Sequence, residues 1–172
     1  MRSTFTSLSD DQLLAQCDVD TYRASGPGGQ KRNKTSSAVR LRHTLSGVLV
    51  IAEESRSQHE NKAKALRRVR QALYLQLREP VDPDTVAAHS EFAPARDGEG
   101  RLHLSAKDAR FWPAVGIVLD ALAVCEGQVS TAAEWLGTST ANLVDFLSVN
   151  EKVWQEANRI RHGFGVKALK LM

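Results

Sequence analysis

Apolar and charged residues alternate over Val39-Arg40-Leu41-Arg42-His43, and after Leu45-Ser46-Gly47 comes the apolar run Val48-Leu49-Val50-Ile51. That pattern predicts an antiparallel hairpin. Upstream, Val19, Thr21 and Tyr22 give residues 18–25 the composition of a strand, which ends at the break Ser25-Gly26-Pro27-Gly28-Gly29. The period then changes. Ser57 and Glu60 form a capping box, and Ala63, Leu66, Val69, Leu73 and Leu77 recur at steps of three and four. Lys62, Lys64, Arg67, Arg68 and Arg70 take the other faces, so a long amphipathic helix with a basic surface is predicted. Pro80 and Pro83 end it. A shorter N-terminal helix is predicted from a second capping box, Ser9 with Gln12, followed by Leu13, Leu14 and Cys17.

Residues 81–104 carry prolines, Gly98, Gly100 and several acids among few large apolar side chains, and are expected to be an acidic linker. From Ser105 the pattern is helical to the end. Pro113 opens one helix that runs through Val115, Val118, Leu119 and Leu122 to a stop at Gly127. Val129 to Phe146 resembles a helix-turn-helix, with Ser130 and Ser139 as caps and Gly137 in the turn, and Asn150 caps a last helix that stops at Gly163. The expected fold is α+β: a small antiparallel or mixed sheet with a long basic helix in residues 1–80, the linker, and an all-helical, helix-turn-helix-like unit in 105–172.

Composition narrows the function classes. The chain has 172 residues, 42% hydrophobic and 25% charged, which fits a globular protein rather than a disordered one. No apolar stretch is long enough for a membrane span, and the first twenty residues lack the features of a signal or transit peptide, so a cytoplasmic protein is expected. Cys17 and Cys125 stand alone, which leaves neither a disulfide framework nor enough ligands for a cysteine metal site, and no cofactor is indicated. Net charge is +3, yet residues 21–78 hold 13 Lys and Arg against Glu53, Glu54 and Glu60, a net of +10. Such asymmetry points to a polyanion partner, and nucleic acid is the one expected.

The stretch predicted to have the most irregular backbone, Gly26-Pro27-Gly28-Gly29-Gln30, lies inside that cationic segment, flanked by Arg23, Lys31, Arg32, Asn33 and Lys34. Adjacent glycines allow positive φ and a close approach of backbone amides to a ligand; taken alone, the loop could be a simple phosphate nest. The wider string says more. Tyr22-Arg23-Ala24-Ser25-Gly26-Pro27-Gly28-Gly29-Gln30, then Asn33-Lys34-Thr35 and Ser37-Ala38-Val39-Arg40-Leu41, resembles the catalytic domain of class I peptide chain release factors. Arg56-Ser57-Gln58-His59-Glu60-Asn61-Lys62-Ala63-Lys64-Ala65-Leu66 resembles the second signature of that family, in the same order and spacing.

The resemblance, which covers about residues 18–78, implies the release-factor catalytic fold and a hydrolase acting on peptidyl-tRNA in the ribosomal peptidyl transferase centre. It places the catalytic role on Gly28, Gly29 and Gln30. A backbone N–H at the glutamine would stabilise the oxyanion formed when water attacks the ester, and the Gln30 side chain would position or restrict that water. The tRNA can assist proton transfer, so no side-chain base is required. The implied partners are the ribosome, through large-subunit rRNA and peptidyl-tRNA, and a glutamine methyltransferase acting on Gln30. Expected RNA contacts are Arg23, Lys31, Arg32, Lys34, Arg40, Arg42, Lys62, Lys64, Arg67, Arg68 and Arg70.

About seventeen residues precede the matching stretch, so codon reading is expected to be absent and codon-independent rescue of stalled ribosomes is the expected function. Alternatives are a non-catalytic ribosome- or RNA-binding homologue and a helix-turn-helix DNA-binding regulator. The third is disfavoured because the helix after Ser139, Thr140-Ala141-Asn142-Leu143-Val144-Asp145-Phe146, has no Lys or Arg and includes an acid. Trp112, Trp135 and Trp154 are expected to be core.

Overall fold

The structure is a computed structural model and describes residues 1–23 and 36–170. The chain divides into two compact units, Met1–Leu73 and Tyr74–Met172.

The first unit begins with two short helices, α1 (Arg2–Thr6) and α2 (Asp10–Ala15), followed by strands β1 (Cys17–Tyr22), β2 (Ala38–His43) and β3 (Leu49–Ala52) and the long helix α3 (Gln58–Gln76), inside which the boundary falls. The capping box of α2 is complete: the Gln12 amide donates to Ser9 Oγ at 3.2 Å, and the Ser9 amide donates to Gln12 Oε1 at 3.0 Å. Sequence pattern gave no sign of α1, whose five residues carry one buried apolar side chain, Phe5, and no side-chain cap.

The sheet is antiparallel throughout, in the order β1-β2-β3. Ala38, Val39, Leu41 and His43 of β2 are buried while Arg40 and Arg42 face outward, as the alternation predicts. β1 begins one residue before the expected 18–25 and ends at Tyr22, paired with Ala38, and residues 24 and 25 of that expectation lie outside the described residues. Leu49 and Ile51 of β3 pair with Arg42 and Arg40 and are exposed with them on the outward face. The turn between β2 and β3 needs Gly47, whose φ of +74° disfavours a Cβ. His43 closes this end of the unit. Its ring is fully buried, with Nδ1 at 2.7 Å from Ser46 Oγ, Nε2 at 3.0 Å from Gln16 Oε1 and the Phe5 ring edge-on at 4.7 Å.

The face of α3 that packs on this unit carries Asn61, Ala65, Leu66, Val69, Ala72 and Leu73, all buried. Burying each of the larger aliphatic side chains contributes about 1.5–3 kcal/mol. The predicted stripe holds at Leu66, Val69 and Leu73 and shifts only at its N-terminal end, where Ala63 is exposed and Asn61 occupies the buried position one turn before Ala65. Only half of the second capping box forms. The Glu60 amide donates to Ser57 Oγ at 3.3 Å, but the Glu60 carboxylate accepts from Ser55 Oγ.

In the second unit, residues 81–104 correct the sequence expectation of a linker. Val86, Phe92, Ala95, Leu102 and Leu104 are buried in one core with Leu75 and four helices: α4 (Phe111–Val124), α5 (Val129–Trp135), α6 (Thr140–Ser148) and α7 (Glu151–Gly163). The segment packs through two single 3₁₀ turns, Val86–Ala88 and Ala93–Ala95, which have no 3.6-residue period to betray them in sequence. Arg96 fastens it, donating to the carbonyls of Ala87 at 2.9 Å and Leu136 at 3.1 Å. The buried Asp120 carboxylate of α4 accepts from the Glu79 amide at 3.0 Å and the Arg78 guanidinium at 3.3 Å.

Ser139 and Asn150 cap α6 and α7 as expected. Ser130 does not cap α5; Gln128 holds that position without a side-chain bond. Trp112, Trp135 and Trp154 pack partly buried against the core. After α7 the chain turns back: Arg161 Nη2 donates to the Lys167 carbonyl at 2.7 Å, and the Leu169 amide donates to Asn158 Oδ1 at 2.7 Å. Among the described residues no helix is long and apolar enough to cross a membrane.

Candidate functional site

Gly28, Gly29, Gln30, Lys31, Arg32 and Lys34 lie outside the described residues. The structure does define the frame from which their segment departs and to which it returns. Tyr22 and Ala38 form the last pair of β1 and β2. On the outgoing side, Tyr22 donates its hydroxyl to Glu53 at 3.4 Å, and burial first, then the facing Glu53 carboxylate, hold its phenol above the ordinary value and keep it a donor. On the returning side, the Asn61 side chain donates to the Ser37 carbonyl at 2.7 Å and the Ser55 carbonyl at 2.8 Å, and accepts from the Ser55 amide at 3.0 Å. Asn61 is fully buried with both ends of its amide satisfied. It lies in the second signature stretch, so that stretch meets the downstream end of the first one through this one side chain.

The described cations of the expected RNA surface fall into two groups. Arg23, Arg42, Lys62, Lys64 and Arg67 make no ion pair with another described residue; Arg23, Arg42 and Arg67 are exposed, and Lys62 and Lys64 half-exposed. Arg40, Arg68 and Arg70 are engaged within the fold. Arg40 pairs with Asp20 across β1 and β2 and sits 6.0 Å from the Tyr22 ring centroid. Arg68 donates to the Ile51 carbonyl and to Glu54, and that hydrogen bond holds the Glu54 carboxyl below its ordinary value. Arg70 donates to the carbonyls of Thr6 and Leu8, each at 2.9 Å, and to Asp10 at 2.7 Å. Exposed pairs such as Arg40–Asp20 are weak and can exchange partners, whereas Arg70 satisfies two backbone groups and serves the fold.

A shallow groove of about 310 Å³ runs between the loop end of the sheet and the start of α3, lined by Val19, Thr21, Val39, Gln58, His59 and Lys62. It brings Gln58, His59 and Lys62 of the second signature to the same side as the residues preceding Tyr22. Sequence reasoning missed the frame residues Tyr22, Ser37, Glu53, Ser55 and Asn61. The available signal was an asparagine placed one helical turn before Ala65 and two before Val69, where a polar group must find partners to be buried.

In the second unit the face of α6 is occupied at its most base-like side chain. Asn142 Oδ1 accepts from the Leu102 amide at 2.7 Å and from Thr138 Oγ1 at 3.0 Å, while its Nδ2 donates to the Leu102 carbonyl at 3.3 Å. Its amide is thus engaged with the Leu102 backbone and the Thr138 hydroxyl.

The sequence model of the RF-1 domain family matches residues 13–99, which is half of the chain. Peptide chain release factor 1 of Erythrobacter litoralis is 44% identical over 97 residues, 54% of this chain and 27% of that relative. Peptide chain release factor 2 of Acidithiobacillus ferrooxidans is 55% identical over 60 residues, 35% of this chain and 16% of the relative. Peptide chain release factor 1 of Gluconobacter oxydans is 52% identical over 68 residues, 40% and 18%. The chain therefore spans about a quarter or less of the length of these relatives, and the family match continues past α3 into the 3₁₀ turns of the second unit.

Proposed function

The chain belongs to the RF-1 domain family, and from that membership we propose that it hydrolyses the ester of peptidyl-tRNA in the peptidyl transferase centre, without reading a codon, and so frees stalled ribosomes. In this reading Gly28, Gly29 and Gln30 carry the chemistry. The Gln30 backbone N–H stabilises the oxyanion as water attacks the ester carbonyl, and the Gln30 side chain orders that water. A Cβ at either glycine would push the donor away from its target. Gln30 is also the substrate of a glutamine methyltransferase, which mass spectrometry of the protein from its own cells would reveal as a single added methyl group.

The observation that supports the reading most is the anchored frame: Tyr22, at one end of the loop-bearing segment, is tied to Glu53 in the connection between β3 and α3, and Ser37, at the other, to Asn61 of α3, which also holds Ser55 of that connection. Preorganised donors are useful only on such a rigid mount. Arg23, Lys31, Arg32, Lys34, Arg42, Lys62, Lys64 and Arg67 contact rRNA phosphates in this proposal, and the second unit is a docking or packing unit. The occupied Asn142 and the lack of cations on α6 count against a DNA-reading role.

Peptide release from ribosomes programmed with a stop codon, a sense codon or a truncated message tests the proposal. Release on sense and truncated complexes is expected. Release confined to stop codons would remove codon independence, and no release on any complex would remove the hydrolase.

A further inference from the structure

We infer that the free edge of β1 takes an extended segment of a partner protein as an added antiparallel strand, and that this segment carries cationic side chains at alternate positions. Backbone parity shows the edge is open. Thr44 donates its amide to the Gln16 carbonyl at 3.0 Å and Cys17 lies opposite His43, so Gln16, Asp18, Asp20 and Tyr22 aim their backbone groups at β2. Those of Cys17, Val19 and Thr21 therefore point away from the sheet. Among the described residues, no group bonds to the outward amides and carbonyls of Val19 and Thr21. The other edge is closed. There, by the same parity, Leu49 and Ile51 of β3 point outward, and Arg68 donates to the Ile51 carbonyl.

The side chains beside that edge select the occupant. Val19 lies on the same side of the sheet as buried Leu41 yet is 45% exposed, and the groove beside it is walled by Gln58, His59 and Lys62 of α3. An added strand sets alternate side chains over this groove, beside Val19 and Thr21, and the others on the outward face, beside Asp18 and Asp20. Both acids are exposed, and of the two only Asp20 pairs with a described cation, Arg40. A lysine opposite either acid stands about 5 Å away, inside the screening length of about 8 Å at physiological salt, so local attraction outweighs the cations farther off. On the groove side Lys62 disfavours a cation and Val19 favours an apolar or β-branched residue. A second copy fits poorly. Antiparallel pairing of two β1 edges about Val19 sets Asp18 of each opposite Asp20 of the other.

The test titrates the isotope-labelled full chain, at about 0.15 M salt, with a short end-blocked peptide in which lysine alternates with valine. The release reaction plays no part in it. The amide signals of Val19 and Thr21 are expected to shift and to exchange more slowly with solvent. In the antiparallel ladder the valines lie opposite Val19 and Thr21 and aim their amides at β1, so N-methylation of the valines should abolish binding and N-methylation of the lysines should leave it within about threefold. Any other pattern would overturn the inference. Asp18→Lys should weaken the lysine peptide by about threefold to tenfold and strengthen its glutamate counterpart. Val19→Pro removes an outward amide at an edge where proline is tolerated and should abolish binding; if that variant does not fold, the methylated peptides decide. No change in the Val19 and Thr21 signals at about 1 mM peptide, or a wild type that prefers the glutamate peptide, would overturn the inference. A dimer of the protein alone that Val19→Pro dissociates would assign the edge to a second copy and overturn it too.

Discussion

Arg70 reaches from α3 to Asp10 at the start of α2, 2.7 Å from guanidinium nitrogen to carboxylate oxygen, and on the way donates to the carbonyls of Thr6 and Leu8. Those two carbonyls lie at the end of α1 and in the connection to α2, where no helical amide follows to satisfy them. Arg70→Gln is expected to destabilise the first unit by about 1–2 kcal/mol, mainly through the two backbone bonds, since the Asp10 carboxylate is largely exposed. Urea denaturation followed by backbone amide signals of β2 measures it; a midpoint equal to wild type would contradict the role.

Ribosome affinity should fall steeply with salt, and the uncommitted cations should carry that dependence. Each phosphate contact adds roughly one to the log–log salt slope. Replacing Lys62, Lys64 and Arg67 together by Gln is expected to flatten the slope by about two to three. Arg40→Gln with Arg68→Gln should change it less, because both side chains already have carboxylate partners in the fold. An unchanged slope in the triple variant would make that helix face a solvated surface.

Burial lowers the His43 pKa below its ordinary 6.5. The unfolded chain therefore takes up a proton near pH 6.5 while the folded unit resists it. The His43 contribution to stability is whole above that pH and declines as pH falls through 6.5 toward the lowered folded value. Wild type should lose denaturant midpoint between about pH 7.5 and pH 5.5 in the amide signals of β2, and His43→Gln should lose less over the same interval. Parallel pH profiles would contradict this.

The second unit should fold from Tyr74, not from Arg101. A fragment of residues 74–172 keeps Leu75, Val86, Phe92 and Ala95, whereas 101–172 leaves their places in the core empty. Loss of Phe92 alone is worth about 3–5 kcal/mol, comparable with the whole stability of a small unit. Tryptophan fluorescence from Trp112, Trp135 and Trp154 should show a cooperative transition in the longer fragment and none in the shorter.

The features legible in the sequence were those whose physics is local. Alternation placed Arg40 and Arg42 on one side of β2, and the Ser9, Ser139 and Asn150 caps need only a side chain and an amide two or three residues on. The long helix announced itself by period, although its buried stripe runs through Asn61 rather than Ala63. What escaped depends on distant partners. Asn61 becomes a clamp only because Ser37, 24 residues away, is brought to it, and Arg70 changes from surface cation to anchor through Thr6, Leu8 and Asp10. Phe92 and Leu102 sit in segments without helical or strand period, so low apolar content there read as a linker. The glycine loop was legible through resemblance alone.

The central claim is that the glycine loop performs ester hydrolysis, and peptide release from stalled ribosomes by wild type, Gly28→Ala and Gly29→Ala tests it most directly. In the proposed mechanism a Cβ at either position would displace the oxyanion donor, so both variants should release peptide on the order of a hundredfold or more slowly than wild type while still binding the ribosome. Equal release by wild type and both alanine variants would contradict the account.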